Sequence, residues 1–144
     1  KSIIESYHAQ FSGLEAFTQE CVAKAREAGK ATTLLGRHRP LPDINSNNAV
    51  VRAFAERNAV NTPIQGSAAD IIKVAMVRIH KAIQEEGLSA RMILQVHDEL
   101  VFDVPKSEAE VLSELVKTHM EKAVELAVPL EVEIQTGADW LEAH

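Results

Sequence analysis

Residues 94–105 decide the fold of this chain; they read Leu-Gln-Val-His-Asp-Glu-Leu-Val-Phe-Asp-Val-Pro. From Met92 to Val104 the apolar side chains are mostly β-branched or aromatic, which strands favour. One polar group, His97-Asp98-Glu99, interrupts them, so the pattern predicts a strand, a tight turn and a second strand. Two carboxylates at the tip of such a hairpin could bind a divalent cation. On these residues alone, Asp98 could instead be a residue that merely favours turns.

The composition of the chain indicates a globular protein. Its 144 residues are 46% hydrophobic, enough for a core. No run approaches the roughly 20 apolar residues of a membrane span, and no signal-peptide pattern opens the chain, so no membrane partner is expected. Cys21 is the one cysteine. It allows no internal disulfide and no cysteine-based zinc site, which fits a reducing cytosol.

Charge is distributed unevenly along the chain. The net charge of −6 argues against a coat of nucleic acid over the whole surface. From Lys30 to Gln65, however, five Lys or Arg residues stand against two acids, so this stretch carries +3 and the remainder −9. A basic stretch inside an acidic chain could bind phosphate locally, or could arise by chance.

Hydrophobic periodicity predicts an α/β (α+β) sandwich. Its sheet consists of the central hairpin at about 90–104 and, after a helical crossover, a third strand near 130–136, where apolar and acidic residues alternate. Helices should cover one face of this sheet. An extra basic hairpin is expected near 30–41.

The middle of the chain is expected to hold two helices. The first spans Ala49 to Asn61, with Val50, Phe54 and Ala55 turned inward. Pro63 and Gly66 should break the chain around position 65, after which a long helix begins at Ser67 and ends at Gly87.

Three polar residues of this region, Arg57, Asn61 and Gln65, are spaced by four. The first two share a face of one helix, and the third lies where that face would continue. Taken alone, they could be a solvated helix edge.

Four stretches together resemble family A DNA polymerases of the bacterial DNA polymerase I type. Leu-Gln-Val-His-Asp-Glu-Leu-Val, followed by a strand ending in Val-Pro, resembles the last catalytic motif of the family. Residues 55–70, AERNAVNTPIQGSAAD, resemble the segment that meets the primer–template duplex. Residues 32–39, TTLLGRHR, resemble its basic hairpin, although Pro40 stands where the family usually has an aromatic residue. Residues 137–141, GADWL, resemble its C-terminal end.

The resemblance implies DNA contacts. Arg57, Asn61 and Gln65 would meet the duplex near the primer end, partly from the minor groove, where amide and guanidinium donors can reach acceptors shared by all correct base pairs. Arg37 and Arg39 would meet phosphate or an acidic neighbour.

The resemblance also implies a metal-dependent reaction. The activity is DNA-templated DNA synthesis in replication and repair, in the cytoplasm at the nucleoid, with two Mg²⁺ ions. Asp98 would be a metal ligand and Glu99 an auxiliary carboxylate near the metals. His97 would position the primer terminus, unless it packs in the core.

The match to the family is incomplete. A second metal-binding aspartate, in an Asp-Tyr-Ser-Gln-Ile-Glu-like strand, and the fingers helix that grips the deoxynucleoside triphosphate do not occur in these residues. We therefore interpret residues 1–144 as a single partial domain, the C-terminal palm portion, with 1–29 a helical stub of the preceding region. Such a fragment should be inactive alone and should self-associate through uncovered sheet.

Two other functions are open to the same residues. A metal-dependent nuclease could use the same acidic pair, but no further acidic cluster occurs at a suitable spacing. A non-catalytic DNA-binding or interaction domain could retain a polymerase-like core.

Overall fold

The computed structural model describes residues 10–143, without the side chain of Ser12. The part of the predicted helical stub that precedes residue 10 lies outside these residues. The elements, in chain order, are α1 (Ser12–Ala28), β1 (Lys30–Thr32), β2 (His38–Pro40), α2 (Ala49–Asn61), a π-helical turn (Thr62–Gly66), α3 (Ser67–Glu85), β3 (Arg91–Val96), β4 (Glu99–Asp103), a 3-10 turn (Lys106–Glu108) and α4 (Ala109–Glu121). The predicted mixed α/β class is confirmed.

The chain forms two compact units, one up to Asp70 and one from Ile71 onward. Each has its own apolar cluster. The interpretation of the chain as one partial domain stays a prediction. No helix among residues 10–143 is long and apolar enough to cross a membrane.

The central hairpin of the second unit forms as predicted. Strands β3 and β4 pair antiparallel, with Val96 opposite Glu99, which leaves His97 and Asp98 as a two-residue turn. The register shifts between Met92 and Leu94, so Ile93 is an extra residue on its strand.

Helices cover one face of this hairpin, as expected. The buried cluster holds Ile79 and Ile83 of α3 with Leu112 and Val116 of α4. The strand residues packed against it are Met92, Leu100 and Phe102. On the strands, Ile93 and Leu94 remain 59% and 47% exposed. The hairpin therefore has one packed face and one open apolar face.

The third strand near 130–136 was predicted wrongly. Residues 122–143 contain no strand, and in the part of the chain that the structure describes β3 and β4 pair only with each other. Leu130 and Val132 are half-buried between exposed Glu131 and Glu133, so the alternation is real. A strand also needs a neighbour to pair its backbone N–H and C=O groups, and within residues 10–143 no strand lies beside this segment.

The basic hairpin of the first unit is present. Strands β1 and β2 pair antiparallel with Lys30 opposite Pro40, and a loop over residues 33–37 joins them. Helix α2 packs Ala55 and Ala59 into the cluster of this unit. Ala55 is inward as expected, but Val50 and Phe54 were predicted wrongly, because they are 80% and 58% exposed. The small alanines, not the large residues, allow the close packing of α2.

The break expected around position 65 was also predicted wrongly. The backbone stays helical from α2 through the π-helical turn into α3, and Asn61 and Ser67 both have right-handed helical angles. Pro63 has no N–H to donate and its ring crowds the carbonyl four residues back. A wider π turn accommodates such a residue without ending the helix.

Candidate nucleic-acid interface and metal-binding turn

The hairpin tip carries the predicted catalytic residues. His97, Asp98 and Glu99 are all exposed. Gln95 contacts the turn from the adjoining strand: its Nε2 donates a hydrogen bond to the His97 carbonyl oxygen at 2.9 Å. His97 has a φ of 53°, the one positive value at a non-glycine residue in the described chain. Histidine visits this region more often than most residues, although it remains uncommon there.

Asp98 and Glu99 supply neighbouring carboxylates but not a complete metal site. Among residues 10–143, no group of three or more His, Cys, Asp or Glu side chains is placed to bind one ion. Mg²⁺ is commonly bound by one or two carboxylates, with waters and substrate phosphates completing its shell. Two exposed carboxylates at a two-residue hairpin turn fit that pattern as part of a site.

Three of the five predicted DNA-contacting residues lie along the helical segment of the first unit. Arg57 and Asn61 are exposed on α2, and Gln65 is exposed on the π-helical turn. Because the backbone does not break after Asn61, all three are carried on one continuous helical backbone. The three side chains, spaced by four, thus share one uninterrupted helical segment.

Arg57 has a neighbour that the sequence did not predict. Its guanidinium carbon lies 5.8 Å from the centre of the Phe54 ring. A cation over an aromatic face at this distance contributes about 0.5–1 kcal/mol at an exposed site. Phe54 therefore orients the Arg57 side chain instead of filling the core. The spacing of three between the two residues was the available signal.

A concavity of about 270 Å³ brings four of the five predicted DNA-contacting residues together. Asn61 and Gln65 line one side from the α2 end and the π-helical turn. Arg37 and Arg39 line it from the basic hairpin. Arg57 is not among the lining residues. Two segments 22 to 28 residues apart in sequence thus place amide and guanidinium groups around one cleft.

The two arginines of the basic hairpin have different surroundings. Arg37 Nε lies 2.7 Å from Asp70 Oδ1, and Arg37 Nη2 donates to the Gly66 carbonyl at 3.0 Å. Of the two partners expected for Arg37, the acidic neighbour is therefore present. Arg39 is exposed at the middle of β2, opposite Ala31, and has no ion pair within the described residues. Arg39 is the better placed of the two for a phosphate.

Asp70 was not recognised from the sequence as part of this site. It lies in the first turn of α3, where the helix dipole favours a negative charge. In the structure it is 8% exposed and contacts the basic hairpin. Its partners Thr33 and Arg37 lie more than thirty positions earlier, so no local sequence pattern marked the contact.

A second cavity of the first unit, about 310 Å³, holds none of the predicted site residues. Cys21 lies on its wall with the apolar side chains of Phe17 and Ala25. Burial, and then the Glu20 carboxylate, raise the pKa of the Cys21 thiol above its ordinary value. The thiol therefore stays protonated at neutral pH and is a poor nucleophile.

Comparison with known proteins identifies relatives that are DNA polymerases I. DNA polymerase I of Streptococcus pneumoniae serotype 4 is 50% identical over 143 residues, which cover 99% of this chain and 16% of that protein. DNA polymerase I of Geobacillus stearothermophilus is 53% identical over 140 residues, 97% of this chain and 16% of that protein. This chain therefore spans about a sixth of the length of these relatives.

A solved structure has the same fold. The POL domain of Pol1 from M. smegmatis, in complex with DNA primer-template and dNTP, superposes with a TM-score of 0.95 at 48% identity. The match covers 97% of this chain and 25% of that one. The sequence profile of DNA polymerase family A matches residues 1–142. With nearly every residue inside that match, the chain belongs to DNA polymerase family A.

Proposed function

We propose that the protein containing this chain synthesises DNA on a DNA template, in replication and repair, in the cytoplasm at the nucleoid. The observation that carries the proposal is the cleft lined by Asn61, Gln65, Arg37 and Arg39. Amide groups on one side and guanidinium groups on the other suit a nucleic-acid strand, with base edges facing the amides and phosphates facing the cations. Family membership and the DNA-bound relative support the same function.

In this proposal the helical segment reads the shape of the primer end. Asn61 and Gln65 can donate to the minor-groove acceptors that all correct base pairs share, and Arg57 can do so from the neighbouring turn of the helix. These contacts do not identify a base. They report whether the last pair has correct geometry, because a mismatch displaces the acceptors.

The hairpin tip would serve the chemistry. Asp98 would bind the catalytic Mg²⁺ ions, of which two are proposed, and Glu99 would be an auxiliary carboxylate beside them. When bound, the metal would make the primer 3′-hydroxyl more acidic and stabilise charge on the departing pyrophosphate. His97, at the first position of the turn, would orient the primer terminus. Because this chain supplies only one of the aspartates expected in the family, we expect the 144 residues alone to be inactive.

The proposed groove reading is tested with Gln65→Ala in the full-length protein. Each lost hydrogen bond should weaken the correctly paired state by about 0.5–1.5 kcal/mol. A mismatched end already lacks those contacts. We therefore expect extension from a matched primer end to slow more than extension from a mismatched end, with little dependence on base sequence. The measurement is single-turnover extension from both primers.

Gln84→Ala provides the matched control, because Gln84 is also an exposed helical glutamine. It should leave both rates unchanged. Equal slowing of both rates by Gln65→Ala would show that Gln65 supports DNA binding or folding in general. Unchanged rates would show that Gln65 is merely part of a solvated helix edge.

We also propose that the isolated 144-residue chain self-associates through the open face of its hairpin. Ile93 and Leu94 present apolar surface there beside an edge strand, a combination that promotes pairing between chains. Sedimentation velocity at rising concentration should show a dimer, and Leu94→Lys should reduce it. A monomer at every concentration would contradict the proposal, as would a dimer that Leu94→Lys leaves unchanged.

A further inference from the structure

The carboxylate of Asp70 has both oxygens engaged although its side chain is almost fully buried. Oδ1 lies 2.7 Å from Arg37 Nε, and Oδ2 accepts a hydrogen bond from Thr33 Oγ1 at 2.5 Å. Both partners belong to the loop between β1 and β2, whereas Asp70 belongs to α3. A buried charge with fewer partners would be strongly unfavourable, so this geometry fixes the loop against the start of α3.

One further hydrogen bond joins the two segments, and two others, one within each segment, hold the partner groups in place. Thr33 Oγ1 also accepts from the Arg37 backbone N–H at 3.0 Å, so the hydroxyl both donates and accepts. The Leu34 backbone N–H donates to Ser67 Oγ at 2.7 Å, and the Ser67 hydroxyl donates to the Pro63 carbonyl. We call the set formed by Thr33, Arg37 and Asp70 the Asp70 clamp.

The backbone at Gly66 approaches the loop too closely for any other residue. A Cβ atom at this position would lie 2.7 Å from Thr33 Cγ2. The neighbour is a β-branched side chain whose hydroxyl is held in the clamp, so it cannot rotate away without losing those bonds. Glycine at 66 therefore lets the π-helical turn and the loop pack in direct contact.

The clamp joins the hairpin loop to α3, and the cleft lies between the hairpin and the π-helical turn that directly precedes α3. The loop leads directly into β2, which carries Arg39, and the π-helical turn carries Gln65. The spacing between the amide side and the cationic side is consequently set at the clamp. Asp70 does not line the cleft, so any effect of Asp70 on DNA must act through the residues that do.

We propose that Asp70 is a positioning residue that fixes the spacing between Gln65 and Arg39 and thereby sets how strictly the cleft distinguishes a matched from a mismatched primer end. The inference rests on the proposed function and adds to it a buried residue that controls specificity without touching DNA. A groove hydrogen bond weakens sharply when its donor moves, so a loosened clamp should act like a weakened Gln65.

Two pairs of variants in the full-length protein test this inference. Asp70→Asn removes the ion pair at nearly constant shape, and its control Glu85→Gln removes a charge from an exposed position of the same helix. Thr33→Val removes the hydroxyl at constant shape, whereas Thr33→Ser keeps it. The second pair keeps the test decisive if Asp70→Asn fails to fold.

Matched and mismatched extension are measured per active molecule, after titration of the active fraction. Asp70→Asn and Thr33→Val should lower the ratio of matched to mismatched extension by roughly 2- to 12-fold, the range expected for loss of one groove hydrogen bond. Glu85→Gln and Thr33→Ser should retain the wild-type ratio. In a Gln65→Ala background, Asp70→Asn should lower the ratio no further, because both changes remove the same contact.

Hydrogen exchange gives a readout that does not depend on activity. The Leu34 amide, which donates to Ser67 Oγ, and the Arg37 amide, which donates to Thr33 Oγ1, should both exchange faster in Asp70→Asn and not in Glu85→Gln. Faster exchange together with an unchanged ratio of matched to mismatched extension would overturn the positioning role. The role would also be overturned if Asp70→Asn lowered that ratio in the Gln65→Ala background as much as in the wild type. A wild-type protein that extends no primer would instead overturn the proposed function, and this inference with it.

Discussion

Asp98→Ala in the full-length protein is expected to abolish nucleotide addition while leaving primer–template binding largely intact. Asp98 lies exposed at the hairpin tip and makes no contribution to the buried cluster beneath it. A catalytic metal supplies several kcal/mol of charge stabilisation, and each ~1.4 kcal/mol is a factor of ten. We therefore expect single-turnover extension to slow by roughly a thousandfold or more.

Primer–template affinity, measured by fluorescence anisotropy, should change little in the same variant, because contacts to phosphates and grooves hold the DNA. Asp103→Ala is the control: Asp103 is an exposed aspartate at the other end of β4. It should turn over at nearly the wild-type rate. Normal turnover in Asp98→Ala would mean that the metal is bound elsewhere.

Ile79→Ala is expected to lower the free energy of unfolding strongly without changing any residue of the hairpin tip or of the cleft. Ile79 is 0% exposed at the centre of the cluster that supports the central hairpin. Truncation of a buried isoleucine to alanine costs about 2–5 kcal/mol, through lost burial and the cavity left behind. The midpoint of urea unfolding should fall at an unchanged m-value.

Val77→Ala on the same helix is the control. It shortens an exposed side chain and so separates the effect of lost burial from the effect of adding an alanine to the helix. Val77 is 57% exposed, so its truncation should alter stability by no more than about 0.5 kcal/mol. Alanine is also the better helix former, which opposes any loss. Similar destabilisation by both changes would contradict the position of Ile79 at the centre of the core.

Features that depend on neighbouring residues could be predicted from the sequence. The hairpin over β3 and β4 follows from apolar strands around a polar turn, and both halves pair with each other at short range. The basic hairpin follows from turn residues in the same way. The register shift at Ile93 could not be read from the pattern, because a bulge changes pairing without changing composition.

Features that depend on distant partners were harder to predict. Residues 130–136 alternate as a strand should, yet no neighbouring strand is placed beside them in the described structure. Val50 and Phe54 are apolar, so the sequence pattern placed them on the buried face of α2. In the structure, alanines form that buried face. Hydrophobicity favours burial of large residues, but close helix packing can favour small ones.

The cleft was predictable only in its parts. Asn61 and Gln65 stood out by spacing, and Arg37 and Arg39 by charge, but nothing in the sequence placed the two groups around one space. Asp70 joins them through a pairing across more than thirty positions, and such a contact leaves no local pattern. The π-helical turn, which keeps Gln65 on the helical backbone, was not predicted, because Pro63 usually indicates a break in a helix.

The positive φ at His97 sets activity and stability against each other. A side chain in such a backbone region costs of order 1–3 kcal/mol, which glycine would largely avoid. An engineer seeking a more heat-resistant variant would therefore select glycine at position 97. That choice would remove the imidazole proposed to orient the primer terminus. Thermostability screens should enrich this substitution, and screens for DNA synthesis should eliminate it.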